Sequence, residues 1–257
     1  MLDVLLGAGI AFCIAVVTTP VGVSGAVFLI PVQISLLHTP SPALTPTNLL
    51  YNLIAIPGAL LRFHRERRLV GPLTRLLVLG TLPGVVAGAV IRVELLSGSQ
   101  AFLLVVAVVL LPLGAWLAFG RPPISVAAPD RDRRRQIVAL SLVVGTVGGI
   151  YGIGGGSILG PILVGFGSSV LEVAPAALAA TFLTSIAGVL TYVVLSLGAS
   201  GDIAPDWAIG IGMGLGGLAG ANLGVSLQHR LPERTLRRAL GLLALALGLH
   251  YILQFIA

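Results

Sequence analysis

One segment of the sequence has the composition of an anion-binding helix terminus: Tyr151-Gly-Ile-Gly-Gly-Gly-Ser157, followed by Pro161. A glycine inside a helix costs about 1 kcal/mol relative to alanine, so three in succession favour an interruption of the helix. The next helix then begins with free backbone N–H groups and the positive end of its dipole, which attract an anion. We therefore expect Gly154, Gly155, Gly156 and Ser157 to contact an anion. Close packing of membrane helices against these small residues is the alternative interpretation.

A weaker copy of this element occurs near the start of the chain, at Val21-Gly-Val-Ser-Gly-Ala26. A shift of 130 positions aligns two pairs of glycines: Gly22 with Gly152, and Gly25 with Gly155. The same reasoning predicts a second helix interruption here, so that Ser24 and Gly25 approach the anion from the opposite side.

Polar side chains inside apolar stretches are the next candidates, because a polar group in hydrocarbon needs a partner. Three of them share one helix face at spacings i, i+3 and i+4: Asn48, Tyr51 and Asn52. A shift of 133 positions places three hydroxyl side chains at the same spacing: Thr181, Thr184 and Ser185. Their amides and hydroxyls could donate to the oxygens of an anion. The alternative is that the hydroxyls bond back to carbonyls of their own helix.

Arg62 begins a basic loop, and its guanidinium fork would suit an oxyanion if it reached the same site. Extension of its side chain toward lipid headgroups is the alternative. Gln33 and Asn222 are two further polar residues within predicted spans.

Other site chemistries fit the sequence poorly. Four scattered His and one Cys make no metal site, and a Walker A loop needs a lysine, of which the chain has none. No pair of Asp or His lies within the predicted spans, as an intramembrane hydrolase would need. We therefore expect a protein that is not an enzyme and has no cofactor.

The composition indicates that lipid, and not water, surrounds most of the helices that position these residues. Of 257 residues, 56% are hydrophobic and 9% are charged, against about 25% charged in an ordinary soluble domain. Apolar stretches long enough to cross a hydrocarbon core of about 30 Å recur along the chain. The net charge of +6 arises from arginines in the short loops between these stretches, as the positive-inside rule describes, and does not indicate nucleic-acid binding. We predict an all-α integral membrane protein.

Apolar runs and their interruptions divide the chain into ten segments, which correspond to eight to ten transmembrane helices. The segments are about 4–19, 24–38, 43–61, 73–91, 100–119, 136–151, 155–168, 173–197, 206–227 and 235–256. An Arg-rich stretch at 121–135 separates a first repeat at 1–120 from a second at 136–257. The first helix of each repeat is broken at its Gly-rich element.

Loop charges predict how the two repeats are related. Loop 62–75 has five Arg while its counterpart at 197–206 has none; loop 92–100 has one while its counterpart at 228–238 has four. The positive-inside rule places 62–75, 121–135 and 228–238 in the cytoplasm, and 92–100 and 198–206 outside. Corresponding loops therefore lie on opposite sides, which predicts repeats of inverted topology with about five membrane segments each.

Inversion requires each repeat to cross the membrane an odd number of times, which constrains the opening stretch at 4–38. Its 35 residues would reach about 52 Å as one helix, too long for one upright crossing and short for two. Two shortened crossings fit best, and a re-entrant hairpin is the alternative. With five segments a repeat, both termini lie outside. Inverted repeats with broken helices are typical of secondary transporters, which bind substrate near the membrane midplane.

The Gly-rich element with its proline, the weaker upstream copy and the Arg-rich stretch together resemble the sulfite exporter TauE/SafE family, also called toluene sulfonate uptake permeases. The resemblance covers about Leu5 to Leu253, although Ser24 and Ala26 stand where the family usually has glycine. It implies a transporter of sulfur-containing anions such as sulfite, sulfoacetate or taurine-like sulfonates, multi-pass in the cytoplasmic (inner) membrane. Members are commonly described with eight helices.

The partners expected from this resemblance are a small sulfur anion and the lipid bilayer, and a homodimer is left open. An anion channel, or a membrane partner subunit without carrier activity, is the alternative function.

Overall fold

The structure is a computed structural model that describes residues 1–39, 41–69, 71–94, 111–112, 114–120, 131–197, 204–228 and 230–256. Within these ranges the chain forms helices and short connections, without any strand. Nine helices have both ends in the described part: α1 (Leu2–Thr18), α2 (Ala26–Ser35), α3 (Ser41–Arg65), α4 (Pro72–Glu94), α5 (Arg131–Tyr151), α6 (Gly156–Gly165), α7 (Val170–Ser196), α8 (Trp207–Gln228) and α9 (Glu233–Ile256). Residues 114–119 are also helical.

Five of the described helices are long and apolar enough to cross a membrane: α1 with the 3₁₀ turn that follows it, α3, α4, α7 and α8. The all-α membrane architecture predicted from composition is confirmed. Helix α5 begins at Arg131, inside the stretch predicted as a linker at 121–135. Its charged first turns extend a helix beyond the apolar run, which periodicity of apolar residues alone does not detect. The rest of that stretch, and most of predicted segment 100–119, lie outside the described residues.

Two of the predicted segments, 24–38 and 155–168, are half-length helices. Helices α2 and α6 have 10 residues each, so each reaches about 15 Å, half of a hydrocarbon core. Helix α2 turns back along α1, because Leu37 just beyond its end lies beside Gly7 near the start of α1. The opening stretch therefore returns toward the side on which α1 begins, as either of the predicted arrangements requires. Every residue of α6 is buried.

The helices that precede α2 and α6 end with the same backbone geometry, although Gly154 in the second interruption is also left-handed at φ +69° and its counterpart Ser24 is not. Gly22 and Gly152 occupy the left-handed region at φ +78° and +69°, which glycine adopts without the steric cost of a side chain. The amide of Val23 donates to the Thr18 carbonyl, and that of Ile153 donates to the Gly148 carbonyl, both at 3.2 Å. These 6→1 bonds are the Schellman ending of a helix. Residues paired by the 130-position shift thus hold equivalent positions, and both predicted helix interruptions are confirmed.

Glycines on α8 and α4 allow close helix packing. A Cβ on Gly216 would overlap the carbonyl oxygen of Ala8 on α1, and a Cβ on Gly88 would overlap that of Thr146 on α5. Small residues let membrane helices approach to backbone contact. These two contacts hold α1 against α8 and α5 against α4, and α1 and α5 are the helices that lead into the two interruptions.

The main helix contacts pair each half of the chain with the other. Helix α1 packs on α8 while α5 packs on α4, and α3 packs on α8 while α7 packs on α4. The first helix and the third helix of each half therefore contact the glycine-rich helix of the other half. The two interruptions are brought together by this exchange of partners.

Candidate anion-binding site

The two helix interruptions meet in the interior of the molecule. The backbone amide of Ser24, just before α2, donates to Ser157 Oγ in the first turn of α6 at 3.2 Å. Ser157 Oγ in turn donates to the Ile153 carbonyl at 3.1 Å. Both serines are buried. The N-termini of α2 and α6 are therefore adjacent, and the predicted residues Ser24 and Ser157 join them.

At the N-terminus of α2, Ser24 connects the backbone to α3. Its Oγ accepts from the Ala26 amide at 3.2 Å and donates to Asn52 Oδ1. The side-chain amide nitrogen of Asn52 is buried and has no hydrogen-bond partner among the described residues. The Tyr51 hydroxyl lies against Gly25, where a Cβ would overlap it. Asn52 therefore presents free donor capacity beside the first turn of α2.

Asn48 has a different part in the same region. Its Nδ2 donates to the Ala26 carbonyl at 3.1 Å, and its Oδ1 accepts from Gln33 Nε2 at 2.6 Å. Both polar ends of the Asn48 side chain are used within the protein. Asn48 thus fixes α2 against α3, and the donor open to a ligand on this helix face belongs to Asn52.

At the N-terminus of α6, three glycines leave room for two threonines, Thr181 of α7 and Thr81 of α4. A Cβ on Gly154 would lie 2.5 Å from Thr181 Cγ2, and a Cβ on Gly156 would lie 2.6 Å from Thr181 Oγ1. A Cβ on Gly155 would meet Thr81 Cγ2 of α4 at 2.6 Å. The Thr181 hydroxyl is buried at this helix start and has no partner among the described residues. These glycines both permit close packing and expose the helix terminus.

The three hydroxyls of α7 separate into two groups. Thr184 Oγ1 donates to the Ala180 carbonyl of its own helix at 2.8 Å, as in the alternative interpretation. Thr181 and Ser185 are buried without a hydrogen-bond partner in the described part of the chain. Thr181 and Ser185 lie one helical turn apart on one face. Two of the three predicted hydroxyls therefore remain available to a ligand.

Six carbonyls at the helix C-termini of the two interruptions accept hydrogen bonds. Those of Thr18 and Thr19 accept from backbone amides, and the Pro20 carbonyl accepts from Gln228 Nε2 at 2.7 Å. In the second interruption, the Gly148 carbonyl accepts from a backbone amide. The carbonyls of Gly149 and Ile150 accept from side chains, those of Tyr192 and Thr45 at 3.0 and 3.2 Å. Asn52 Nδ2, Thr181 Oγ1 and Ser185 Oγ can donate to a ligand, and the buried acceptor Gln33 Oε1 on α2 also lacks a partner among the described residues.

Arg62 lies apart from this cluster. Ten residues separate it from Asn52 along α3, a distance of about 15 Å. Its guanidinium donates to the Asn222 carbonyl at 3.1 Å and to the Ser226 hydroxyl. The structure therefore uses Arg62 to join the ends of α3 and α8, and does not bring it to the other predicted residues.

Gln228, Tyr192 and Thr45 support the site and were not predicted from the sequence. Gln228 is buried at the end of α8, where it also accepts from Arg68 at 3.2 Å. Arg68 also donates to the Leu171 carbonyl, which ties the loop after α3 to α7. Because Gln228 begins an Arg-rich loop in the sequence, its polarity alone does not distinguish it from the loop residues. For Tyr192, the one signal in the sequence was a hydroxyl group within an apolar stretch.

The space beside the site is small. A cavity of about 20 Å³ adjoins Ser157. Its other lining residues are apolar: Val23, two residues of α2, two of α6 and three of α9, among them Leu240 and Leu243. It has room for about one water molecule. The space beside Ser157 is therefore narrow in this conformation, and residues of α9 line it.

Comparison with known protein families gives one result. A model of the sulfite exporter TauE/SafE family matches residues 7–251. Comparisons with curated proteins and with solved structures gave no match. The match covers nearly the whole chain, including both interruptions and the long helices that hold them, and confirms the resemblance seen in the Gly-rich element. The chain belongs to the sulfite exporter TauE/SafE family of membrane transporters.

Proposed function

We propose that the protein is a secondary transporter that moves a sulfur-containing anion, such as sulfite or an organosulfonate, across the cytoplasmic membrane. The anion binds between the N-termini of α2 and α6. One observation carries this proposal: three buried groups able to donate, Asn52 Nδ2, Thr181 Oγ1 and Ser185 Oγ, lack a partner among the described residues. Two of them lie at helix starts that meet through Ser24 and Ser157.

The energetic argument favours an anion over a neutral ligand. A buried donor without an acceptor costs about 1–3 kcal/mol, and the cost is recovered when a ligand supplies the acceptor. The first backbone N–H groups of α2 and α6 have no acceptor within the helix, and of these the Ala26 amide already donates to Ser24 Oγ. A sulfonate or sulfite group offers three oxygens to these donors, and hydrogen bonds to charged acceptors are the stronger kind.

Inverted repeats supply the transport mechanism in this proposal. The exchange of helix partners between the halves supports two repeats, 1–120 and 136–257, related by a two-fold axis in the membrane plane. The topology derived from loop charges is supported on both sides. Arg68 contacts Gln228, and both lie in loops predicted cytoplasmic, while the amide of Asp206, in a loop predicted outside, donates to Thr47 Oγ1 at 2.8 Å. Movement of one repeat against the other would expose the site alternately.

The small cavity beside Ser157 favours a carrier over an open anion channel. It holds about one water molecule, so no wide space adjoins this serine among the described residues. A carrier passes through an occluded state on each cycle. Flux that saturates with substrate distinguishes the carrier from an anion channel or a partner subunit without carrier activity.

Thermal unfolding of the purified protein tests the ligand class. We expect sulfite and methanesulfonate to raise the unfolding temperature and acetate, a carboxylate of similar size, to leave it unchanged. Ligand at 100 times its Kd stabilises a folded protein by about 2.7 kcal/mol. Equal stabilisation by acetate, or none by any sulfur anion, would overturn the sulfur-anion assignment.

A further inference from the structure

We propose that two side-chain contacts between the repeats are the gates of the transporter, one toward each side of the membrane. This inference rests on the proposed function and names the residues that close each path. Gln228 and Arg68 form the gate on the side predicted cytoplasmic, and Thr45 forms the gate on the side predicted outside. Each gate bonds a buried backbone carbonyl at one of the two helix interruptions.

The two gated carbonyls hold equivalent positions in the repeats. The 130-position shift that pairs the glycines of the two interruptions also pairs Pro20 with Ile150, and both residues are buried. The Pro20 carbonyl, in the first repeat, accepts from Gln228 Nε2 of the second repeat at 2.7 Å. The Ile150 carbonyl, in the second repeat, accepts from Thr45 Oγ1 of the first repeat at 3.2 Å. Each interruption is therefore bonded to a side chain of the opposite repeat.

On the predicted cytoplasmic side, an arginine extends this contact to α7. Arg68 donates to Gln228 Oε1 at 3.2 Å and to the Leu171 carbonyl near the start of α7, and it pairs with Glu66 at 3.3 Å. Since the Pro20 carbonyl only accepts and a guanidinium only donates, the group between them has to do both, as a glutamine amide does. Arg68 and Gln228 thus connect the loop after α3 with the first interruption, α7 and α8.

On the predicted outer side, Thr45 lies beside a second contact between the repeats. The Asp206 amide donates to Thr47 Oγ1 at 2.8 Å, only two residues along α3 from Thr45. Asp206 ends the arginine-free loop 197–206, which the positive-inside rule places outside. The two gates therefore lie toward opposite predicted sides of the membrane.

These bonds are needed only while their path is closed. A buried carbonyl needs a donor from the protein, whereas a carbonyl that water reaches does not. An open path admits water to its carbonyl, so loss of the side-chain donor destabilises the closed arrangement and leaves the open one unaffected. The population then shifts toward the state that is open on that side. Loss of one such donor corresponds to a shift of about tenfold in this equilibrium.

Labelling of single cysteines in the full-length protein, on a Cys13→Ser background, tests the two gates. Val23→Cys and Ile153→Cys are reporters at equivalent buried positions, each three residues beyond a gated carbonyl. With an impermeant maleimide, Gln228→Met should raise the labelling rate of the Val23→Cys reporter about tenfold from the cytoplasmic face, in inside-out vesicles. Thr45→Val should raise that of the Ile153→Cys reporter about tenfold from outside, in intact cells.

A second gate variant and two matched controls accompany these changes. Arg68→Ala should reproduce the effect of Gln228→Met, because it removes the same connection from its other end. Tyr192→Phe removes the donor to the Gly149 carbonyl beside the outer gate. Both of those residues belong to the second repeat, so labelling should stay at the rate of the parent reporter. Arg65→Ala removes an exposed arginine of α3 and should also leave the rate unchanged.

The outcomes separate this inference from the proposed function. Unchanged labelling in Gln228→Met, Arg68→Ala and Thr45→Val, with methanesulfonate binding intact, would overturn the gates and leave the anion site in place. Faster labelling of a reporter from both faces would indicate a general loosening of the fold and would also contradict the inference. The proposed function fails separately, if the native protein neither binds methanesulfonate nor exchanges it across a membrane.

Discussion

Two threonines one helical turn apart on α7 differ only in whether the hydroxyl is already bonded. Thr184 Oγ1 donates to its own helix and Thr181 Oγ1, beside Gly156, has no partner in the described structure. Both residues are fully buried. This pair separates a hydroxyl available to a ligand from one that is not.

The first prediction follows from that difference. Thr181→Val removes a free donor and should weaken methanesulfonate binding by about 10–100-fold, the worth of one hydrogen bond to a charged group. Stability without ligand should be unchanged or higher, because no hydrogen bond is lost. The matched control Thr184→Val should leave the Kd within about threefold of the native value. Both are measured by titration calorimetry, and equal loss of affinity in the two variants would contradict the assignment.

The second prediction contrasts two serines of the predicted site. Ser157→Ala removes the acceptor of the Ser24 amide, so the free energy of unfolding should fall by about 1–3 kcal/mol. Ser185 has no partner in the described part of the chain, so Ser185→Ala should keep the stability and lower the affinity for methanesulfonate. Thermal unfolding and binding are compared for each variant. If Ser185→Ala destabilised the protein as much as Ser157→Ala, the distinction between the two roles would fail.

At the scale of elements, the two half-length helices depend on backbone contacts that only glycine permits. A Cβ on Gly156 would overlap the carbonyl oxygen of Ala177 and approach Thr181 Oγ1. Because α6 is buried on all sides, it has no free space into which it could shift. There is therefore no room for even one additional methyl group between the start of α6 and α7.

The third prediction is that Gly156→Ala displaces the start of α6 and destroys anion binding. Gly9→Ala is the matched control, since nothing lies within 4 Å of a Cβ at that position of α1. That control should be neutral or stabilise the protein by up to about 1 kcal/mol, the difference in helix propensity. Normal binding by a folded Gly156→Ala variant would show that α6 does not form the site.

The sequence predicted the two helix interruptions better than it predicted the side-chain contacts around them. Gly152 and Gly155 could be identified because closely spaced glycines in an apolar run are costly in an unbroken helix. The sequence could not distinguish Thr181 from Thr184, because both satisfy the same helical spacing and only the approach of Gly156 separates them. Gln228 binds a carbonyl 208 positions away, a contact that no local pattern encodes. Arg62 has the residue type of an anion ligand but the position of a helix-end contact.

At the scale of the whole molecule, the proposed inverted arrangement predicts the side of the membrane on which each loop lies. The fourth prediction uses single cysteines on a Cys13→Ser background at two exposed positions, Ala208 at the start of α8 and Thr235 at the start of α9. In oriented cells, an impermeant maleimide should label Ala208→Cys from outside and Thr235→Cys only after the membrane is opened. Neither substitution alters an arginine count, so the positive-inside signal is retained. Labelling of both from one side, or in the reverse order, would contradict the inverted topology.

Movement of the repeats around a closed site is the central claim, and counterflow in proteoliposomes tests it most directly. Vesicles that contain the purified protein are loaded with unlabelled methanesulfonate and diluted into labelled methanesulfonate. We predict transient accumulation of label that saturates with substrate, requires substrate inside, and is reduced by Thr181→Val but not by Thr184→Val. Uptake no faster than in protein-free vesicles, or an ohmic anion current without acceleration by internal substrate, would contradict the account.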